Sequence, residues 1–161
     1  MGPFHISRSR GAFSLLEGLA LLASVVVAGR LGVSAHQWMW ERAQLSNYRA
    51  TMQDIATTLR ATHVKTVAQH QIFELRVDPS ERQLQFLVMS KRPRDRVERI
   101  ERTIWLPDGL EIRDAPRAFR ASPTGRLFSA TILVLAPAYN RTFRLQTTEA
   151  GEVQLYEEST L

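Results

Sequence analysis

From Phe4 to Asp78 the chain contains no proline, and six of its seven prolines lie beyond that point. Proline lacks a backbone donor and clashes inside helices, whereas it favours turns. The 161-residue chain therefore divides into a first half that tolerates one long helix and a second half rich in turns. The most restrictive part of the first half is AFSLLEGLALLASVVVAG, residues 12–29, in which Glu17 is the single charge. As a helix this run is about 27 Å long, close to the hydrocarbon thickness of a bilayer. Arg30 interrupts it, a residue long enough to snorkel, and Leu31 to Ala35 stay apolar. Trp38 and Trp40 follow, as rings at a membrane–water interface do. Arg8 and Arg10 precede the run without an accompanying acid, which predicts a cytoplasmic N-terminus and an exported remainder.

Three readings fit this segment. A secretory signal would end at a small-x-small site, for which Val33-Ser34-Ala35 is the candidate, releasing a soluble β domain. A plain membrane anchor fits the length but leaves Glu17 unexplained. A carboxylate inside a membrane helix costs about 2.5–3.5 kcal/mol on insertion scales. The third reading accounts for the glutamate. Gly11-Ala12-Phe13-Ser14-Leu15-Leu16-Glu17 resembles the class III signal of type IV pilins and type II secretion pseudopilins. The resemblance implies cutting by prepilin peptidase on the cytoplasmic side, N-methylation of the new first residue, usually Phe, and Glu at mature position five. Cutting after Ala12 meets both conditions, with Phe13 first and Glu17 fifth. The family usually has Gly before the cut; here Gly11 stands one place earlier, and cutting after it would make Glu17 sixth. The implied role of Glu17 is assembly: it neutralises the new amine of a neighbouring subunit, so that two charges costly apart become a pair.

From Glu41 to His70 the apolar spacing is helical. Leu45, Tyr48, Met52, Ile55, Leu59, Thr62 and Thr66 recur at steps of three and four, with Val64 and Val67 widening the stripe. Arg42, Arg49, Gln53 and Arg60 lie off that face. The stripe is expected to pack on a sheet, and the helix to continue from the membrane segment.

After residue 70 the period becomes two. Phe73, Leu75 and Val77, a turn at Asp78–Glu81, then Leu84, Phe86 and Val88 read as a hairpin. Further strands are expected at 103–106, 110–113, 127–135, 143–145 and 153–155, separated by turns at Pro107-Asp108-Gly109, Pro123-Thr124-Gly125, Pro137–Asn140 and Ala150-Gly151. The expected fold class is α+β: a long N-terminal membrane-spanning helix packed on a C-terminal antiparallel sheet or sandwich, pilin-like. Its divisions are a cleaved basic leader 1–12, a transmembrane and assembly helix 13–40, an amphipathic periplasmic helix 41–70 and an antiparallel β domain 71–161.

Within the superfamily the layout is similar to H-type minor pseudopilins and FimT-like minor pilins, the GspH/FimT family. Leu106-Pro107-Asp108-Gly109-Leu110, Phe119–Gly125 and Ala150-Gly151-Glu152-Val153 resemble that family's strand–turn segments. Glu149, Glu152, Glu157 and Glu158 form no evident hard-cation loop of the kind major pseudopilins carry near the C-terminus, which points to a minor subunit. The resemblance implies a single-pass protein of the bacterial inner membrane with its C-terminal domain in the periplasm. The implied partners are other pseudopilins, the assembly platform and prepilin peptidase.

No catalytic residue, cofactor or metal ligand set is expected. The absence of cysteine excludes disulfides, thiolate metal sites and a Cys nucleophile. His63 and His70 are about 10 Å apart along a helix, too far to share one metal. No G-x-S-x-G or phosphate loop occurs. The basic feature is Lys91 to Arg102, where six cations meet three acids for a net of +3. Lys91, Arg92, Arg94 and Arg96 are its candidate contacts for DNA or another polyanion; interspersed acids and the lack of a stacking aromatic argue for a solvated loop. The formal +5 of the chain falls to 5 − 2 = +3 once Arg8 and Arg10 leave with the leader.

Overall fold

A computed structural model describes residues 15–89, 98–122, 124, 126 and 129–159. Helix α1 runs Leu15–Gln69. The chain divides into two units, one ending at Ala43 and one spanning Gln44–Leu161. In the second unit, eight strands follow among the described residues: β1 (Ile72–Asp78), β2 (Gln83–Met89), β3 (Glu98–Trp105), β4 (Glu111–Asp114), β5 (Ala118–Ala121), β6 (Ala130–Ala136), β7 (Arg141–Thr147) and β8 (Val153–Ser159). They form two antiparallel sheets, ordered β3-β2-β1-β5 and β4-β6-β7-β8. The chain passes from the first sheet to the second between β3 and β4, back before β5, and over again before β6.

One apolar core joins both sheets to the helix. Tyr48, Met52, Ile55, Ala56 and Leu59 meet Phe73, Leu75, Phe86, Phe119, Ile132, Phe143 and Leu145, all buried. The stripe expected from spacing is the stripe observed, and its polar end has a physical solution. Thr62 Oγ1 donates to the Thr58 carbonyl at 2.7 Å and Thr66 Oγ1 to the Thr62 carbonyl at 2.8 Å. Each hydroxyl is satisfied on its own helix, so the methyl groups can be buried. Val64 and Val67 do not widen the stripe as expected; both are exposed. Val64 lies two residues from Thr62 and from Thr66, about 160° from each in projection, so it points away when those are buried. The helix ends in a Schellman arrangement. His70 takes φ 51°, its N–H donates to the Val67 carbonyl, and the Gln71 N–H donates to that of Thr66.

Two glycine turns lock helix and sheets together. In the Pro107–Leu110 turn, Gly109 has φ +89°, and a Cβ there would lie 2.4 Å from the Tyr48 hydroxyl. That hydroxyl donates to the Asp108 carbonyl at 2.7 Å. In the β7–β8 turn, Gly151 has φ +87°, and a Cβ would lie 2.1 Å from the His63 ring. Neither position has room for a side chain.

Two strand expectations need correction. Phe119 to Ala121 belongs to β5, not to a turn; with two alanines and one arginine in four residues, the strand offers one large apolar side chain to the period-two signal. Strand β3 begins at Glu98, five residues before Thr103, because its first half alternates charges rather than apolar groups. A bulge explains that half: Phe86 pairs Arg102 and Leu87 pairs Ile100, leaving Glu101 as the extra residue. Two consecutive side chains, Glu101 and Arg102, then both reach α1. Glu101 pairs with Lys65, and Arg102 holds Asp54 at 2.7 Å and the Thr58 hydroxyl at 2.9 Å. The strand near 127–135 is β6, described from Ala130 to Ala136.

Candidate assembly helix and interaction surfaces

The helical residues up to Ala43 have the composition of a core and the exposure of a surface. Leu22 is 66% and Val25 68% exposed, and Leu19, Leu21, Val26, Val27, Leu31 and Val33 are exposed too. This is the one helix among the described residues long and apolar enough to cross a bilayer. Its hydroxyls are internally satisfied: Ser24 donates to the Ala20 carbonyl at 2.8 Å and Ser34 to that of Arg30 at 2.9 Å. Trp38 and Trp40 are exposed, and the Arg42 guanidinium lies 4.4 Å from a Trp38 ring centroid. An aromatic girdle with a stacked cation suits an interface between apolar and aqueous phases. Glu17 sits in the first turn of α1 and is exposed. Gly11, Ala12 and Phe13, the processing residues, lie outside the described residues.

On the second unit, two surfaces concentrate charge. The first is the seam between α1 and β8. Arg49 forms a two-pronged ion pair with Glu157, both contacts at 2.8 Å. The hydrogen bond from Arg49 holds the Glu157 carboxyl below its ordinary value, against burial, with the charges of Arg49 and Arg141 adding to it. Arg60 donates through Nε and Nη2 to the Val153 carbonyl, the latter at 2.6 Å. A groove of about 490 Å³ at this seam is lined by Ser46, Arg49, Gln53, Phe143, Leu155 and Glu157.

The second surface is the outer face of the first sheet. Glu74 is buried there, and its two oxygens take one arginine each: Arg76 Nε at 2.6 Å and Arg120 Nε at 2.6 Å. Arg76 also reaches Glu98 at 2.9 Å. Burial pushes the Glu74 carboxyl up, but the hydrogen bonds and charges of Arg120 and Arg76 outweigh it and hold it below its ordinary value. Leu87, opposite both Glu74 and Ile100, is buried on the same face outside the main core. Sequence reasoning did not find this cluster. Its signal is the register of β1 against β5, which sets Glu74 opposite Arg120.

The basic run divides likewise. Lys91, Arg92, Arg94 and Arg96 lie outside the described residues. Its described acids serve cations elsewhere in the chain, Glu98 pairing with Arg76 and Glu101 with Lys65. Arg102 is engaged by Asp54.

No family model and no curated protein matches the chain. Solved structures do. The minor pseudopilin EpsH from the type 2 secretion system of Vibrio cholerae superposes with a TM-score of 0.57 at 18% identity, over 68% of this chain and 95% of that one. The type IV minor pilin FimU of Pseudomonas aeruginosa superposes with a TM-score of 0.56 at 12% identity, over 73% and 93%. The chain has the pilin-like fold. In this pilin-like chain the two kinds of surface divide the work chemically. The segment up to Ala43 offers apolar area with isolated charges, and the unit from Gln44 offers compensated ion pairs on a rigid core.

Proposed function

We propose that the chain is a structural subunit of a type II secretion-type pseudopilus, a minor pseudopilin of the H type. It inserts with Arg8 and Arg10 on the cytoplasmic side of the inner membrane. Prepilin peptidase cuts it between Ala12 and Phe13, and the assembly platform draws it into a short periplasmic filament with other pseudopilins. Its task is assembly and contact rather than catalysis. The observation that carries the reading is a helix that presents exposed apolar residues up to Ala43 in a chain of pilin-like fold. Glu17 supports it, since an acid near the start of such a helix has a use only where a cation meets it.

N-terminal sequencing of the mature protein tests the proposal. A methylated Phe13 start is expected; a start at His36 would sink it in favour of a released β domain.

A second reading, a minor pilin that binds DNA or another polyanion through the Lys91–Arg102 run, is favoured by one observation. Glu98 and Glu101 pair with Arg76 and Lys65, cations outside their own run. DNA binding by residues 41–161 that is lost with Arg92, Arg94 and Arg96 changed to Ala would favour it.

A further inference from the structure

Strand β3 is the longest of the described strands, and it lies at the edge of its sheet. Among the described residues no strand pairs with its second side. The other edges are protected. Strands β4 and β5 have four residues each, and α1 reaches the backbone of β8, where Arg60 donates to the Val153 carbonyl. Strand β3 has neither protection, and no proline or lysine interrupts it. It also carries two large exposed apolar side chains, Ile100 at 54% and Trp105 at 62%. Pairing with β2 puts both on the outer face of the sheet. Ile100 stands opposite Leu87 and Trp105 opposite Gln83, whereas Leu84 and Phe86 between those two belong to the core.

The bulge at Glu101 decides what fits this edge. It sets Glu98, Ile100, Thr103 and Trp105 on the outer face and Arg99, Arg102 and Ile104 on the inner one. We propose that β3 pairs antiparallel with β3 of a second copy, in the register that places Ile100 opposite Thr103 and Glu98 opposite Trp105. This register alone overlaps all eight residues, and it keeps outer side chains with outer and inner with inner. The twofold axis passes between Glu101 and Arg102, so Glu101 of each copy faces Arg102 of the other, opposite charges set across the contact. Ile100 lies diagonal to Trp105 of the second copy, within reach of an aromatic ring. The contact is isologous, and every pair occurs twice. The extra residue of a bulge discourages a foreign strand; here a second copy answers that residue with an arginine. Glu101 and Arg102 already pair with Lys65 and Asp54 in their own chain, yet their side chains stay 32% and 48% exposed, so both can take a second partner. The pairing goes beyond the subunit reading and does not rest on it.

The chain has no cysteine, so disulfide trapping on the full chain in detergent micelles reports the register directly. Ile100→Cys and Thr103→Cys chains, differently tagged, are mixed and oxidised. In the proposed register these two positions are opposite, about 5 Å apart between Cα atoms, while like positions stand about 8 Å apart, beyond a disulfide's reach. The heterotypic dimer should form and both homotypic ones should be lost. Adding Glu101→Lys to the Ile100→Cys chain should abolish most of the product, and Arg102→Glu in the Thr103→Cys chain should restore it. Restoration cannot arise inside either chain, since a glutamate at 102 would face Asp54 there. If either cysteine variant disturbs urea unfolding, Glu98→Cys with Trp105→Cys, both at exposed ends of the strand, gives the same reading. Homotypic Ile100→Cys dimers as the main product would mean another register and overturn the proposal. So would a heterotypic product indifferent to the charge changes, or no product from either cysteine pair.

Discussion

The two stretches of α1 on either side of Ala43 share one secondary structure and opposite surroundings. From Gln44 to Gln69, Met52, Ile55 and Leu59 are at most 1% exposed within their own domain, while Leu22 and Val25 before it are two-thirds exposed. Burial of a large apolar side chain contributes about 1.5–3 kcal/mol. The later stretch has drawn that contribution from its own sheets, and the earlier one must draw it from lipid or from other chains. The difference teaches that a helix with no proline from end to end is stabilised by unlike partners along its length.

Substitutions on the two sides should therefore separate stability from assembly. Ile55→Ala opens a cavity in a core shared by helix and sheets and should cost about 2–5 kcal/mol, read by thermal or urea unfolding. Gly151→Ala forces a side chain onto the His63 ring at φ +87° and should cost about 1–3 kcal/mol in the same assay. Acidification comes next. The carboxyls of Glu74 and Glu157 are depressed in the folded state, so their contribution is present above the ordinary carboxylate range and lost as pH falls through their folded values. Urea midpoints should be level near neutrality and fall below about pH 4; Glu74→Gln should flatten that fall. Arg49→Ala removes a half-exposed pair and should cost about 0.2–1 kcal/mol, less at high salt. Smallest of all, Leu22→Ala should leave domain unfolding within about 0.5 kcal/mol of the parent. A loss at Leu22 as large as that at Ile55 would break the comparison.

Much of the fold could be read from the chain because its signals are local. The proline-free first half and the three-four spacing from Tyr48 to Thr66 placed the helix and its buried face. The hairpin at Asp78–Glu81 follows from alternation and from turn chemistry, with Asp78 Oδ1 accepting the N–H groups of Ser80 and Glu81. The misses are non-local. Strand β5 owes its place to pairing with β1, and the exposed early half of β3 owes its place to pairing with β2 across a bulge. In the candidate sites, Glu17 stands out in the sequence as the single charge of an apolar run. The Glu74 cluster was not, because Glu74 and Arg76 alternate as any solvent-facing pair would until Arg120 arrives from another strand.

The seam between α1 and β8 has a consequence for the order of events in time. Arg49 and Glu157 stand 108 residues apart in sequence, and Arg60 and the Val153 carbonyl 93. Contacts of such long range reward the chain only after most of it has been ordered, and they slow folding. While the chain folds, the amphipathic part of the helix must therefore wait, its apolar stripe uncovered, until β8 is in place. That interval is when this domain is most open to capture by a chaperone or by the wrong neighbour.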